Sequence, residues 1–207
     1  MRYGVVILGA GASRRMGRPK LTLPWRDSVI VDYLIKEWRE LGAAQITIVV
    51  SADNHSLIDS LDRIDFCESQ RIVNPDPDRG MFSSIHCTAQ WSGWETDLTH
   101  MVVTLGDQPH LQRSTLTGLI KAGAKMPSHV CQPAVGGRAK HPVLLPWPDF
   151  EELQTSSQPT LAHFLQERQQ RRHLVEMDDP GLSLDIDTPD DYRQALKLSG
   201  QTQARTL

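Results

Sequence analysis

In ILGAGASRRMGRPKL, residues 7–21, a glycine-rich turn follows directly on an apolar run. That run, YGVVIL at 3–8, has the continuous apolar character of a strand buried on both faces of a parallel sheet. Further β-branched runs at 45–50 and 101–105 alternate with segments of helical periodicity. The alternation predicts a three-layer α/β/α domain with a mostly parallel, mixed sheet. Ligands of such domains bind at the carboxyl ends of the strands, where this turn lies.

The composition of the whole chain limits the class of protein. Its 207 residues, 39% hydrophobic and 23% charged, fit one globular domain, which we expect to span 1–198 with a polar tail at 199–207. A net charge of −3 argues against nucleic acid as a partner. We expect no membrane association and a cytoplasmic location, because the chain has neither a signal peptide nor a membrane-length apolar run. The odd, widely spaced cysteines predict buried, reduced thiols at Cys67, Cys87 and Cys131.

Two familiar phosphate-binding motifs fail at specific positions of the glycine turn. The dinucleotide fingerprint G-x-G-x-x-G matches Gly9 and Gly11, but Arg14 stands where the third glycine permits close helix packing. The ATP-type loop G-x-x-x-x-G-K-[ST] fails because Gly11 and Gly17 are one residue too far apart and Arg-Pro follows them. Gly9 and Gly11 still predict a turn in which backbone N–H groups approach an anion closely.

Four basic side chains lie within the seven residues 14–20 that follow this turn. Arg15 and Lys20 flank the turn at the end of a strand, so we expect them to contact a polyphosphate. Arg14 and Arg18 are equally well explained as a solvated basic surface. The turn is therefore predicted to hold a polyphosphate without following either familiar motif.

Two aspartates are candidate metal ligands. Asp107 follows the strand that ends at Leu105, in TLGDQPHL, and Asp187 lies in LDIDTP near the end of the domain. One or two carboxylates together with substrate phosphates are the usual ligands of Mg²⁺. Asp107 could instead cap a helix or stabilise a turn, and Asp187 could form an Asx turn or begin the last helix.

Residues 8–20 closely resemble the signature L-A-A-G-x-S-x-R-M-G-x-x-K of the MobA-like nucleotidyltransferases, and most closely the branch of the molybdenum cofactor cytidylyltransferases. The resemblance extends through four more segments in the order of the family: NPDPDRGMFSSI at 74–85, TLGDQPHL at 104–111, HPVLL at 141–145 and DIDTPDDY at 185–192. It therefore covers nearly all of 1–198 and implies a Rossmann-like nucleotidyltransferase fold.

The resemblance also implies a reaction and a set of site residues. A nucleoside monophosphate, CMP from CTP, would be transferred to the phosphate of a molybdopterin-type cofactor with Mg²⁺ as the metal, and pyrophosphate would be released. Arg15, Lys20 and Asp107 would be catalytic, and Asp107 and Asp187 would bind the metal. The implied nucleotide contacts are Leu8, Gly9, Ala10, Gly11, Ala12, Arg15, Lys20, Asn74 and Gly106. The implied acceptor contacts are Gly80, Ser83, Ser84, Gln108 and His141.

Two departures and several alternatives accompany this interpretation. Gly9 stands where the family has Ala, and Lys140 stands where the family has Gly before His141. Capping of the following helix explains Ser83 and Ser84 equally well. Other possible activities are transfer from GTP, transfer to a sugar or isoprenoid-precursor phosphate, an oxidoreductase, and a non-catalytic carrier of the cofactor. A molybdoenzyme or its chaperone is a further expected partner, as the recipient of the product.

Overall fold

The computed structural model describes residues 1–11 and 13–201, and within them it contains ten strands and seven helices. The strands are β1 Tyr3–Leu8, β2 Pro24–Trp25, β3 Ser28–Val29, β4 Gln45–Ser51, β5 Arg71–Asn74, β6 His100–Leu105, β7 Val130–Val135, β8 Arg138–Ala139, β9 Val143–Pro146 and β10 Arg172–Glu176. The helices are α1 Ile30–Glu40, α2 His55–Arg63, α3 Met81–Gln90, α4 Arg113–Lys125, α5 Trp147–Glu152, α6 Leu161–Gln166 and α7 Pro189–Leu198.

A mixed, mostly parallel sheet forms the centre of the described chain, with the order β10-β7-β9-β6-β1-β4-β5 and with β8 paired to β7. Strand β1 lies between β4 and β6 and is parallel to both, and β5 continues the parallel set beyond β4. Strand β9 is antiparallel to both of its neighbours. The predicted fold class is confirmed.

The central strand β1 shows why the sheet is covered on both faces. Val5 and Ile7 belong to one apolar cluster, together with residues of α1, α2, α4 and α7. Val6 belongs to a second cluster, together with residues of α3, α5 and α6. Successive side chains of a strand point to opposite faces, so a continuously apolar strand needs helices on both sides.

The structure corrects one predicted helix start. The sequence predicts that Ser28 caps the helix from Val29, but Ser28 lies in β3 and the N-cap of α1 is Val29, without a side-chain cap. The Ser28 hydroxyl instead donates to the carboxylate of Asp32 within the first turn. It thereby supports the first turn of α1 from outside the helix.

The charged run ERQQRRH, 167–173, has the sequence pattern of a solvated helix face, but two of its arginines are anchored in the protein. Arg168 has a side chain that is only 7% exposed, and its Nε donates to Asp149 at 2.9 Å. Its guanidinium lies 3.5 Å from the ring centre of Phe164. Arg171 donates to the same fully buried Asp149 at 3.0 Å. A buried carboxylate with two arginine partners therefore fixes this run.

The prediction that all three cysteines are buried is wrong for two of them. Cys131 is buried, and its burial raises the pKa of the thiol to about 11. Cys87 is half-buried and Cys67 is exposed. No helix of the described chain is long and apolar enough to cross a membrane.

Candidate functional site

The candidate site lies at the edge of the sheet where β1, β4, β5 and β6 end. Leu8 at the end of β1 is paired with Leu105 at the end of β6, and Asn74 at the end of β5 is paired with Ser51 at the end of β4. The glycine turn after β1 and the Gly106-Asp107 turn after β6 are therefore neighbours. The backbone N–H of Gly106 donates to the carbonyl of Leu8 at 3.1 Å and joins the two turns.

Two of the predicted glycines are needed for close backbone packing. A Cβ on Gly9 would lie 2.9 Å from the carbonyl oxygen of Val49, and a Cβ on Gly106 would lie 2.9 Å from that of Leu8. The N–H of Gly9 donates to Val49 at 2.9 Å, so it is not available to an anion in this conformation. Gly11 differs, because a Cβ there would meet no atom within 4 Å. Of the two glycines, Gly11 is the one that faces open space beside the turn.

Ser13 holds the basic loop in its shape. Its φ of 48° is in the left-handed region, and its Oγ accepts a hydrogen bond from the backbone N–H of Lys20 at 3.2 Å. Its carbonyl accepts from the N–H of Met16 at 3.0 Å, and the side chain of Met16 is buried. Ser13 therefore ties the start of the loop to Lys20 at its end. Ala12, predicted to contact the nucleotide, lies outside the described residues.

The structure brings together the four charged residues that the sequence singled out. Lys20 Nζ lies 2.6 Å from Asp187 Oδ1 and 3.3 Å from Asp107 Oδ2. The other carboxylate oxygen of Asp187 lies 2.6 Å from a guanidinium nitrogen of Arg15. The backbone N–H of Ile186 donates to the carbonyl of Asp107 at 3.2 Å, which joins the two carboxylate-bearing segments. Residues far apart in sequence thus form one cluster of two carboxylates and two cations.

The electrostatics of Asp107 make a neighbouring cation important. Burial raises the pKa of its carboxyl above the ordinary value, and the carboxylates of Asp185 and Asp187 raise that pKa further. The ammonium of Lys20 opposes these effects and lowers the pKa. Because burial and like charges disfavour the ionised carboxylate, a cation at this position stabilises it.

Two cavities meet at these carboxylates. The first, of about 360 Å³, is lined by the glycine turn and the basic loop, including Gly11, Arg15 and Lys20. The second, of about 370 Å³, is lined by Gly80, Met81 and Ser84 at the start of α3. Leu8, Gly11, Asp107 and Asp187 line both cavities. The carboxylate pair therefore lies between two binding spaces.

A further cavity, of about 560 Å³, adjoins the first on the other side of the basic loop. It is lined by Ala10, Gly11 and Arg18 together with Ser51 and Asn54. Gly11 lines all three cavities, and the predicted contact residue Ala10 lines this cavity and the second one. The loop is therefore accessible from two sides.

Asn74 and the two serines of the NPDPDRGMFSS segment form a hydrogen-bonded unit. The buried amide of Asn74 donates to Ser83 Oγ at 2.8 Å and to Ser84 Oγ at 3.0 Å, and it accepts from the N–H of Asp76 at 3.0 Å. Gly80, with φ at 93°, is the N-cap of α3, and no side chain caps the helix. The capping interpretation of the serines is therefore wrong. Asn74 holds the turn, and neither it nor Ser83 is among the residues lining the first or second cavity.

Gln108 and His141 were predicted to contact the acceptor, and neither is among the residues lining the first or second cavity. Gln108 is buried, and its Nε2 donates to Asp185 Oδ1 at 2.9 Å. Burial lowers the pKa of His141 below its ordinary value. Its Nδ1 has no hydrogen-bond partner among the described residues. Neither side chain lines the second cavity, whereas Asp185, held by Gln108, does.

The carboxylate pair fits a divalent cation. The Lys20 ammonium already lies within 3.3 Å of an oxygen of each carboxylate, and carboxylate oxygens are the donors that Mg²⁺ and Mn²⁺ prefer. Among residues 1–11 and 13–201 no group of three or more His, Cys, Asp or Glu side chains could hold a metal ion. Phosphate oxygens of a substrate would therefore have to supply much of the coordination.

Sequence reasoning missed two residues that shape this site. Ser13 stands within the quoted signature, but its positive φ and its bond to Lys20 are tertiary features with no sequence signal. The sequence motifs do not indicate Asp185 as a site residue. Its two-residue spacing from Asp187 in an extended segment could have placed both side chains on one face, and both line the second cavity.

A basic glycine turn lies beside a carboxylate pair at the end of a mixed α/β sheet, an arrangement suited to an enzyme that acts on a nucleoside triphosphate. The chain belongs to the family of the MobA-like NTP transferase domain, whose model matches residues 5–177. Molybdenum cofactor cytidylyltransferase of Escherichia coli (strain K12) is 28% identical over 194 residues, which cover 90% of this chain and 92% of that protein.

Solved structures share the fold over nearly the whole chain. A nucleotidyl transferase from Methanothermobacter thermautotroptrophicus has a TM-score of 0.76 at 18% identity, with 98% of this chain and 99% of that chain covered. Rv0371C of Mycobacterium tuberculosis H37Rv, in a complex with manganese, has a TM-score of 0.69 at 23% identity, with 95% and 99% covered.

Proposed function

We propose that the protein transfers CMP from CTP to the phosphate of a molybdopterin-type acceptor and releases pyrophosphate. The observation that carries the proposal is that Asp107 and Asp187 line two cavities at once. A nucleotidyl transfer needs such an arrangement, because the α-phosphorus of the donor and the phosphate of the acceptor must meet at one place. The Escherichia coli relative supports the choice of cytidylate and of acceptor.

The basic loop binds the triphosphate in this proposal. Arg15 and Lys20 face the first cavity and carry the positive charge that offsets the negative charge on the departing pyrophosphate. Gly11 leaves space for a phosphate close to the backbone. Transfer of this kind depends on positioning and charge neutralisation, so the protein needs to form no covalent bond to the substrate.

Asp107 and Asp187 are the proposed ligands of Mg²⁺. A bound divalent cation neutralises charge on the reacting phosphate oxygens and holds them in position. Both carboxylates are partly exposed toward the cavities, with 24% and 29% of their side-chain surface accessible. The manganese complex of the Mycobacterium tuberculosis neighbour supports a divalent cation in this fold.

The second cavity is the proposed acceptor site. Gly80 and Ser84 line it, and α3 begins beside it at Met81. The N-terminal end of a helix carries partial positive charge and favours an anion such as a phosphate. Asn74 binds Ser83 and Ser84, and Gln108 binds Asp185, which lines this cavity. Direct substrate contacts from Asn74, Ser83, Gln108 and His141 stay predictions. A molybdoenzyme or its chaperone as recipient and a cytoplasmic location also stay predictions.

The test is pyrophosphate release by the purified protein with Mg²⁺, a molybdopterin-type acceptor and each nucleoside triphosphate in turn. We expect turnover with CTP, loss of turnover in Asp107→Asn and unchanged turnover in Asp190→Asn, whose carboxylate is exposed and paired with Arg193. Turnover with GTP alone would overturn the choice of base. Full activity of Asp107→Asn would overturn the metal role. Binding without turnover would favour a carrier of the cofactor.

A further inference from the structure

Lys20 occupies a position between the two proposed metal ligands. Its side chain is 14% exposed, and its ammonium contacts Asp187 at 2.6 Å and Asp107 at 3.3 Å. We infer that Lys20 is the resident counter-ion of this carboxylate pair, that it leaves the pair for the phosphates when nucleotide binds, and that the divalent cation therefore enters together with the nucleotide and not before it. This inference rests on the proposed function.

The balance of charge supports this order of binding. In the structure Lys20 and Arg15 pair with Asp107 and Asp187, and the neighbouring carboxylate of Asp185 adds a third negative charge to these two positive charges. A divalent cation added alone would leave the cluster with excess positive charge, at a place where burial already strengthens electrostatic interactions. A metal–triphosphate complex brings negative phosphate oxygens for both cations. The cation and the triphosphate therefore relieve each other's electrostatic cost when they arrive together.

The geometry allows Lys20 to change partner without refolding the loop. Its ammonium is a point charge on a flexible four-carbon chain with three donors. Its backbone N–H is bound to Ser13 Oγ, so the backbone can stay fixed while the side chain rotates. Lys20, Gly11 and Arg15 line the same cavity, which places the phosphate-binding loop beside the carboxylate-bound ammonium.

Arg14 provides a matched control. It belongs to the same loop, lines the same cavity and carries the same charge, but its guanidinium is paired with Asp78 at 3.0 Å. Removing Arg14 therefore changes the charge of the loop without freeing Asp107 or Asp187. A comparison of Lys20→Met with Arg14→Met separates the specific contact from the general loss of positive charge.

The experiment measures free Mn²⁺ by electron paramagnetic resonance during titration of the full chain without nucleotide. One charge-assisted hydrogen bond corresponds to a change in affinity of roughly tenfold to a hundredfold. We expect Lys20→Met to bind Mn²⁺ more tightly than wild type by that factor. For Arg14→Met we expect an affinity within about twofold of wild type, as for an exposed ion pair. The gain should disappear in Lys20→Met combined with Asp187→Asn, and Lys20→Gln provides a second variant if the methionine protein does not fold.

Three results would overturn the inference: an unchanged Mn²⁺ affinity in Lys20→Met, an equal gain in Arg14→Met, or a gain that survives Asp187→Asn. The same titrations with CTP present test the proposed function separately. If Asp107→Asn weakens Mn²⁺ binding with CTP while Lys20→Met gains nothing without it, only the counter-ion role fails. If Asp107→Asn has no effect with CTP, the proposed metal site fails and the inference fails with it.

Discussion

Replacing Asn74 with alanine tests two roles for this residue. It either holds the first turn of α3 beside the proposed acceptor cavity or contacts the nucleotide. The amide donates to Ser83 and Ser84 and accepts from Asp76, at 2.8, 3.0 and 3.0 Å. Asn74 is only 2% exposed, so water does not replace these bonds without a structural change. The substitution therefore removes the link between the end of β5 and the first turn of α3.

The expected loss of stability follows from these three bonds. At about 0.5–1.5 kcal/mol for each bond, their removal costs at most about 4.5 kcal/mol. Ser83 and Asp76 offset part of this loss of free energy in the variant. The Ser83 hydroxyl also donates to the carbonyl of Gly80 at 2.8 Å, and Asp76 is exposed to water. We therefore expect the free energy of unfolding to fall by about 2 kcal/mol, which for a chain of this size lowers Tm by roughly 4–8 °C.

Urea unfolding measures the stability, and steady-state kinetics with varied acceptor and varied CTP locate the functional effect. We expect the KM for the acceptor to rise while the KM for CTP stays unchanged, because Asn74 does not line the first cavity. Ser83→Ala is the control, since it leaves the bond from Asn74 to Ser84 in place, and it should have a smaller effect on stability. A rise in the KM for CTP as large as that for the acceptor would refute this reasoning and favour the nucleotide contact implied by the sequence.

Three further predictions concern the surrounding structure. Asp149→Ala should lower the free energy of unfolding in urea by up to about 3–5 kcal/mol, because it leaves the buried guanidinium of Arg168 with only the exposed carboxylates of Glu152 and Glu167. A loss below about 1 kcal/mol would argue against a buried pair. Burial lowers the pKa of His110. As the pH drops below the ordinary value of 6.5, the unfolded chain therefore binds a proton at this histidine before the folded chain does, and stability should fall. The slope of Tm against pH should be shallower in His110→Gln, and an identical slope would be the contrary result. Asp191 completes the capping box of α7, so Asp191→Ala should lose about 1 kcal/mol in thermal unfolding, and an equal loss in the exposed variant Asp190→Ala would contradict the capping role.

Strands with buried surfaces on both faces were the most predictable part of the fold. The apolar run at 3–8 is typical of a strand in the interior of a sheet, and β1 has helices on both of its faces. The sequence also placed the glycine turn and Asp107 at the carboxyl ends of strands, whereas the pairing of β1 with β6, which makes the two turns neighbours, is known only from the structure. The resemblance to a family placed Asp187 beside them, which spacing alone left ambiguous.

Contacts between distant segments could not be predicted from the sequence. Gly9 looks like an anion-binding glycine, yet its N–H is bound to Val49 in β4. Arg168 belongs to a charged run typical of a solvated surface, yet its side chain is buried and pairs with Asp149, 19 residues earlier. In both cases a tertiary partner decides the role of the residue, and the local pattern contains no information about that partner. The division of the chain into a domain at 1–198 and a tail stays a prediction.

The most direct test of the proposed transfer of CMP is the mass of the product. The purified protein is incubated with Mg²⁺, CTP and a molybdopterin-type acceptor, and the acceptor is then analysed by mass spectrometry. We predict that the acceptor gains one cytidylate and that one pyrophosphate is released for each acceptor modified. An acceptor of unchanged mass, with CTP intact and no pyrophosphate, would contradict the proposed transfer.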